Sequence, residues 1–127
     1  MKTPAANPKR RGDFSFPRSA RIRKRPEFIR LIRSGITLHG RHFIINALPS
    51  VGRHSRLGIT VTRQVGNAVV RNRMKRLSRE YFRRCRHGLT ENWDLNIVVK
   101  KSAPDLSTAA FFDQLDYVFQ KLPHTYR

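Results

Sequence analysis

The sequence predicts an α+β fold, a two-layer sandwich in which helices pack against one mostly antiparallel sheet. Apolar residues recur at helical spacing in three separate segments, and short alternating or continuous apolar runs lie between them. In chain order these patterns give a helix, two or three strands, a helix, a strand and a last helix. The 127 residues show no internal repeat and suffice for one domain with a modest core.

The first twenty residues differ in composition from the rest of the chain. Prolines, a glycine and several cations follow one another there, which prevents regular structure and favours contact with phosphate. We therefore expect residues 1–20 to be a basic, flexible arm and residues 21–127 to be a single α+β domain.

The first helix is expected from about Lys24 to Ser34. Pro26 suits its first turn, Glu27 lies near the positive end of the helix dipole, and Gly35 follows the last turn. An apolar stripe marks the side that this helix buries; it consists of Phe28, Leu31 and Ile32.

Strands are expected at residues 42–48, 56–63 and 95–100, with a short additional strand near residues 36–38. Residues 95–100 are dense in aliphatic side chains, which is typical of a central strand. In residues 56–63 larger apolar side chains alternate with small or polar ones. The small, polar side is expected to border an open groove, and its members are Gly58, Thr60 and Thr62.

A strongly basic helix is expected after the N-cap Asn67, ending near Arg86. At about 100° per residue its side chains separate into two faces. The apolar face consists of Val70, Met74, Leu77, Tyr81 and Cys85. The opposite, cationic face consists of Arg71, Asn72, Lys75, Arg76, Arg79 and Arg83. Guanidinium groups donate paired hydrogen bonds to phosphate, and Glu80 is the only acid between Arg63 and Arg86, so this face favours a phosphate-rich partner.

An apolar stripe near the end of the chain predicts the last helix. Pro104 interrupts the chain before it, and Ser107 or Thr108 is expected to cap it. Its apolar stripe is Phe111, Leu115, Val118 and Leu122.

The net charge of +19 indicates a polyanionic partner, because self-repulsion of this size opposes compaction. An anionic membrane would also attract such a chain. However, no stretch approaches about 18 apolar residues, and no apolar signal-peptide core is present. We therefore expect a cytoplasmic protein that binds nucleic acid and does not enter a membrane.

No residue pattern indicates catalysis by the polypeptide itself. Cys85 is the only cysteine, so the chain forms no internal disulfide and no zinc site of several thiolates. The carboxylates are scattered, the histidines show no metal-ligand spacing, and we find no nucleophile motif and no phosphate-binding glycine loop. The sequence thus predicts no catalytic residue in the protein.

The basic helix carries a recognisable motif, Gly66-Asn-Ala-Val-Val-Arg-Asn-Arg-Met-Lys-Arg-Leu-Ser-Arg-Glu80. It closely resembles the signature of the bacterial ribonuclease P protein family. Residues 25–35, 56–63 and 94–101 are similar to that family's first helix, central strand and later strand. The resemblance covers residues 18–122, nearly the whole predicted domain.

The resemblance implies an accessory subunit of a ribonucleoprotein endoribonuclease that removes the 5′ leader of precursor tRNA by phosphodiester hydrolysis. The catalytic subunit is then the RNA, which uses bound Mg²⁺. The protein's expected partners are this catalytic RNA and the single-stranded leader, and no obligate protein partner is evident. The resemblance also implies a left-handed βαβ crossover, which general handedness rules disfavour.

Site residues follow from the motif and the helix faces together. The surface for the catalytic RNA is expected to comprise Arg71, Asn72, Arg73, Lys75, Arg76, Arg79 and Arg83. By resemblance, the leader groove lies between the first helix and the sheet and is lined by Phe28, Ile32, Ile44, Asn46, Thr60, Thr62 and Arg63. Phe28 offers either a stacking platform for a base or ordinary core packing. Whether any side chain contacts a catalytic metal stays open.

Two other interpretations fit part of the pattern. A ribosomal or general RNA-binding protein would share the basic face but would need no leader groove. A DNA-binding architectural protein is less consistent, since the chain shows no dimer-forming heptads and no recognised DNA-binding motif.

Overall fold

The computed structural model describes residues 18–52, 54–89 and 91–123. In this part of the chain the α-helices are α1 (Arg25–Ser34), α2 (Ala68–Cys85) and α3 (Thr108–Phe119). The strands are β1 (Ile36–His39), β2 (Phe43–Pro49), β3 (Arg56–Thr60) and β4 (Trp93–Val99). The predicted order of elements and the α+β class are thereby confirmed.

The strands form one sheet in the order β1-β2-β4-β3. β1 pairs with β2 and β2 with β4 in antiparallel fashion, whereas β3 runs parallel to β4. Parallel neighbours need a crossover connection, and α2 provides it between β3 and β4. The basic helix is therefore held against the sheet by a strand at each of its ends.

One face of the sheet forms the hydrophobic core with α2 and α3. Successive side chains along each strand point to opposite faces of the sheet, so every second residue enters this core. Ile45 of β2 and Ile97 of β4, for example, are paired neighbours and are both fully buried. The helices contribute Met74 and Phe82 from α2 and Phe111 from α3, all fully buried. Phe111 meets Phe43 edge to face at 4.9 Å between ring centroids.

The opposite face of the sheet carries α1, which buries Leu31 and leaves part of the face open. A chain of side-chain hydrogen bonds crosses the strands on this side. The Thr60 hydroxyl donates to Asn96 (3.1 Å), the Asn96 amide to Asn46 (3.3 Å), and the Asn46 amide to Thr37 (3.4 Å). These bonds allow two asparagines, 6% and 0% exposed, to lie inside a sheet.

Two strand boundaries differ from the prediction by two residues or more. β3 ends at Thr60 rather than at Arg63, because the Val65 amide donates to the Thr62 carbonyl (3.0 Å) and closes a turn. β4 begins at Trp93, two residues before the predicted start, because the sheet pairs Trp93 with Pro49.

The predicted basic arm lies largely outside the described residues. Its described part, Arg18–Ala20, is one turn of 3-10 helix, and Ala20 is fully buried. The next residues run beside the edge strand β3, where the Ile22 amide donates to the Leu57 carbonyl (2.9 Å).

Candidate nucleic-acid interface

α2 begins where the sequence predicts, because Asn67 caps its free amides. The Asn67 side-chain oxygen accepts a hydrogen bond from the Val70 amide at 3.0 Å. Arg71 also contributes to this turn, since its Nε donates to the Gly66 carbonyl (3.1 Å). The helix start that carries the basic motif is therefore held by side chains of the motif itself.

The predicted apolar face of α2 is confirmed. Met74, Leu77 and Tyr81 are buried, and Val70 and Cys85 pack at the border of the core. The buried face is wider than predicted, because Ser78 and Phe82 also lie in it. The Ser78 hydroxyl is satisfied inside the helix by donating to the Met74 carbonyl (2.8 Å).

The cationic face of α2 points away from this core. Among its members Asn72 and Arg76 are exposed, and Arg71, Lys75, Arg79 and Arg83 are half-buried. Arg73, which the motif adds to the predicted RNA surface, is also half-buried. Glu80, the one acid of the helix, pairs with Arg84 (3.2 Å), which is not a member of this face. None of the ion pairs between described residues involves the cationic face, so its charge is available to a partner.

Phe28 of α1 lies at the centre of an open groove beside β3. Two adjoining cavities, about 260 and 430 Å³ in volume, both include Phe28, Ile59 and Lys75 in their walls. The larger cavity is also lined by the exposed Ile32 and by Thr60. The groove is therefore bounded by α1 on one side and by the basic helix on the other.

Gly58 allows Phe28 to approach the strand. A Cβ atom at position 58 would lie 2.8 Å from the Phe28 Cζ atom and closer still to Cε1. Any side chain at this position would displace the ring. Gly58, which the alternating pattern predicts on the groove side, thus provides the space against which the ring of Phe28 packs.

Two cations outside the predicted site complete the groove. Arg21 and Arg23, which flank the segment paired with β3, line the smaller cavity together with Lys75 and Arg79. Burial, and then the nearby charge of Arg21, lower the pKa of Arg79. The sequence signal for this cluster is the alternation of cations around the buried Ile22, which indicates an extended segment against a sheet edge.

An ion-pair network fixes α1 over the sheet. Arg56 of β3 donates through Nε and Nη2 to both carboxylate oxygens of Asp94 (3.0 and 2.9 Å), and through Nη1 to Glu27 (3.0 Å). The hydrogen bond from Arg56, supported by its charge, lowers the pKa of Glu27. Glu27 is adjacent to Phe28 in α1, so this network links the turn of the helix that carries the ring to the sheet.

The other predicted groove residues lie in different environments. Ile44 is half-buried and shares a register row with Val98 and Thr60 on the α1 side of the sheet. Asn46 is buried, and its amide is engaged with its neighbours. Thr62 and Arg63 are exposed in the turn after β3, outside the walls of both cavities.

The described residues offer no group of three His, Cys, Asp or Glu side chains positioned to hold a metal ion. The carboxylates beneath the groove, Glu27 and Asp94, are both bonded to Arg56. In the same part of the chain, no helix combines the length and apolar character needed to cross a bilayer.

Comparison with known proteins agrees with this architecture. The family model named Ribonuclease P matches residues 16–123. Ribonuclease P protein components from Desulforapulum autotrophicum and Desulfatibacillum aliphaticivorans are 43% and 40% identical to the chain over 111 residues. Each alignment covers 87% of this chain, and 95% and 94% of the respective relative.

Solved structures extend the likeness to the fold. The RNase P protein of Staphylococcus aureus superposes with a TM-score of 0.74 at 30% identity, over 80% of this chain and 93% of that one. The RNase P protein of Thermotoga maritima gives a TM-score of 0.74 at 26% identity, over 81% of this chain and 97% of that one. With its basic helix and groove, the chain therefore belongs to the ribonuclease P protein family, the protein subunits of the endoribonuclease that processes the 5′ ends of tRNA.

Proposed function

We propose that this protein binds the catalytic ribonuclease P RNA through the cationic face of α2 and the single-stranded 5′ leader of precursor tRNA through the groove at Phe28. The observation that carries the proposal is the wall shared between the two surfaces. Lys75 belongs to the cationic face and also lines both cavities beside Phe28. A leader strand in the groove would thus run along the edge of the surface that holds the catalytic RNA.

The chemistry of the groove suits a single strand. The half-buried ring of Phe28 offers an aromatic platform, and base stacking on such a ring contributes about 1–3 kcal/mol for any base. Lys75, Arg79 and Arg23 stand around the ring at positions where phosphates of the same strand can be reached. Stacking combined with surrounding cations is the usual means of binding single strands without sequence preference.

The side chains that the structure describes in the groove do not fit a Mg²⁺ site of their own. Mg²⁺ prefers oxygen ligands in octahedral geometry, and the carboxylates of Glu27 and Asp94 are occupied by Arg56. In our proposal the Mg²⁺ that the reaction requires is held by the RNA subunit. The protein positions RNA and leader, and it acts in the cytoplasm, where precursor tRNA is processed.

The proposal is tested with two variants that affect one surface each. Arg76→Ala removes an exposed guanidinium that lines neither cavity and should weaken assembly with the catalytic RNA. Phe28→Ala removes the platform and should weaken binding of precursor tRNA to the assembled holoenzyme by up to about 1–3 kcal/mol. Affinity for mature tRNA, which has no leader, should stay nearly unchanged.

Folding must be measured beside binding, because truncating a fully buried phenylalanine costs about 3–5 kcal/mol and Phe28 is half-buried. If a folded Phe28→Ala holoenzyme lost equal affinity for precursor and mature tRNA, the assignment of the leader groove would be wrong. If Arg76→Ala bound the catalytic RNA as tightly as the parent protein, the assignment of the helix face would be weakened.

A further inference from the structure

A third cavity lies at the other end of β3 from the proposed leader groove. Its volume is about 350 Å³, and none of the described residues that line it also lines the cavities at Phe28. Its walls come from the loop before β3 and from the connection between α2 and β4: His54, Ser55, Arg86, His87, Leu89 and Asn92. From Arg71 to Arg86 the helical rise is about 22 Å, so this cavity is remote from the start of the basic motif.

Hydrogen bonds hold the two walls together. The Ser50 amide donates to the Asn92 carbonyl (2.9 Å), and the Trp93 amide donates to the Ser55 hydroxyl oxygen (2.9 Å). Ser55 is only 3% exposed, and because its oxygen accepts from Trp93, its own proton is left to donate. The cavity is thus a formed feature of the fold.

The lining of this cavity is suited to an anion. The described residues of its lining include the Arg86 guanidinium, the His54 imidazole, an amide and a hydroxyl, all of which can donate hydrogen bonds, and none of these described residues carries a carboxylate. The Nη1 atom of Arg86 is buried without a hydrogen-bond partner among the described residues. Arg86 lines the cavity, and the other N–H groups of its guanidinium are charged donors of the kind that bind an anion strongly.

We propose that this cavity binds a phosphate group in the backbone of the catalytic RNA, as a contact separate from the cationic face and the leader groove. The inference rests on the proposed function for its choice of RNA. Phosphate is favoured because a guanidinium fork matches its oxygens and because the chain carries a net charge of +19. The carboxyl end of a helix repels anions, so binding here depends on the side chains and above all on Arg86.

The first experiment compares Arg86→Gln with Arg84→Gln in the full-length protein. Both remove one positive charge from neighbouring positions, but Arg84 is exposed, paired with Glu80 and absent from the cavity. Arg86→Gln should reduce affinity for the catalytic RNA about tenfold and lower the slope of log affinity against log salt by about 0.7–0.9. Arg84→Gln should change affinity less than about threefold. Equal losses in the two variants would overturn the proposal.

Inorganic phosphate gives a second test that needs no RNA. Titration into the protein should shift the backbone NMR signals of Asn92 and His87, and Arg86→Gln should abolish these shifts while Arg84→Gln keeps them. Should Arg86→Gln fail to fold in a thermal scan, His87→Ala at an exposed position replaces it in the phosphate titration, with Asn92 as the signal that is read. Phosphate shifts that are the same in the Arg86 and Arg84 variants would contradict the assignment.

The source of the phosphate is decided in the assembled holoenzyme. At saturating protein, holoenzyme with Arg86→Gln should bind precursor and mature tRNA with the same affinity as the parent holoenzyme. A selective loss of affinity for either tRNA would assign the cavity to the substrate and overturn its assignment to the catalytic RNA. If Arg76→Ala weakens assembly and Arg86→Gln does not, this inference alone fails. If neither variant weakens assembly, the proposed function of the helix fails with it.

Discussion

The ring of Phe28 in α1 lies directly against Gly58 of β3, where a Cβ atom would approach the Phe28 Cζ atom to 2.8 Å. The strand therefore determines how deep an aromatic side chain of the helix can sit in the groove. Phe28 is half-buried in this position, with one part packed on the strand and another open to the cavities.

Gly58→Ala should displace the ring of Phe28 and weaken binding of the leader. We expect up to about 1–3 kcal/mol lower affinity of the holoenzyme for precursor tRNA, with mature tRNA unaffected. Overpacking should cost about 1–3 kcal/mol in the free energy of unfolding, measured by urea denaturation. Gly88→Ala is the matched control, because a Cβ there would meet nothing within 4 Å. Equal precursor affinity in both variants would show that the ring does not stack on the leader.

The faces of α2 could be predicted from the sequence because helical periodicity is a local property. Asn67 caps α2 as expected, and Ser107, one of two predicted candidates, caps α3. Both could be predicted because capping depends on residues three apart. The burial of Asn46 and Asn96 could not be predicted. Asparagine is depleted in strands, and only a partner from another strand makes its burial acceptable.

The cations of the groove show a second limit of sequence reasoning. Arg21 and Arg79 lie far apart in the sequence, yet they line one cavity and the charge of one affects the other. Their proximity follows from the pairing of Ile22 with Leu57, a tertiary contact that no local pattern specifies. For the same reason, the sequence suggested two separate RNA-binding surfaces, whereas Lys75 lines the cavities at Phe28.

The two acids that pair with Arg56, Asp94 and Glu27, should contribute unequally to the free energy of unfolding. Arg56→Gln leaves Asp94, whose side chain is 5% exposed, without its bidentate partner, and we expect a loss of about 3–5 kcal/mol in unfolding free energy. Glu27→Gln removes a pair whose acid is 36% exposed and should cost about 0–1 kcal/mol. Urea denaturation of both variants at neutral pH measures the difference. Similar losses would mean that burial of Asp94 does not dominate the network.

Acidification should reveal the contribution of Glu27. Its pKa is lowered in the folded state by the hydrogen bond from Arg56, so the folded protein releases this proton more readily than the unfolded chain. The stabilisation is therefore complete above the ordinary pKa of 4.5 and is lost as pH falls through the lowered value. Between pH 6 and pH 3, Glu27→Gln should lose less stability than the parent. Parallel pH profiles would rule out this linkage.

Cys85 should be unreactive in the folded protein. Burial, and then the charge of Asp116, raise the pKa of its thiol to about 12, so little thiolate exists at pH 8. Alkylation by iodoacetamide should be slow in the native protein and rapid in urea, with Cys85→Ala as the blank. Rapid modification of the native protein would place the thiol in a more exposed environment.

Alkaline pH should destabilise the fold through the contact between α2 and α3. The Tyr81 hydroxyl donates to Asp116 at 2.6 Å, and burial together with this bond raises the pKa of Tyr81 above its ordinary value of 10.0. In the folded state Tyr81 and Cys85 keep protons that the unfolded chain releases at alkaline pH. Their contribution to the free energy of unfolding is therefore complete below about pH 9 and falls as pH rises. Denaturation at pH 7 and pH 10 should show this loss, and Tyr81→Phe should reduce it.

Lys75 should affect both RNA partners, because it belongs to the cationic face of α2 and also lines both cavities at Phe28. Lys75→Ala should weaken assembly with the catalytic RNA and lower the slope of log affinity against log salt by about 0.7–0.9. In holoenzyme assembled at saturating protein, it should also weaken precursor tRNA binding while mature tRNA binding is kept. Arg76→Ala is the matched control, since its exposed guanidinium lines neither cavity and should affect assembly alone. If Lys75→Ala and Arg76→Ala had the same effect on precursor tRNA, the leader would not pass along the wall that Lys75 forms.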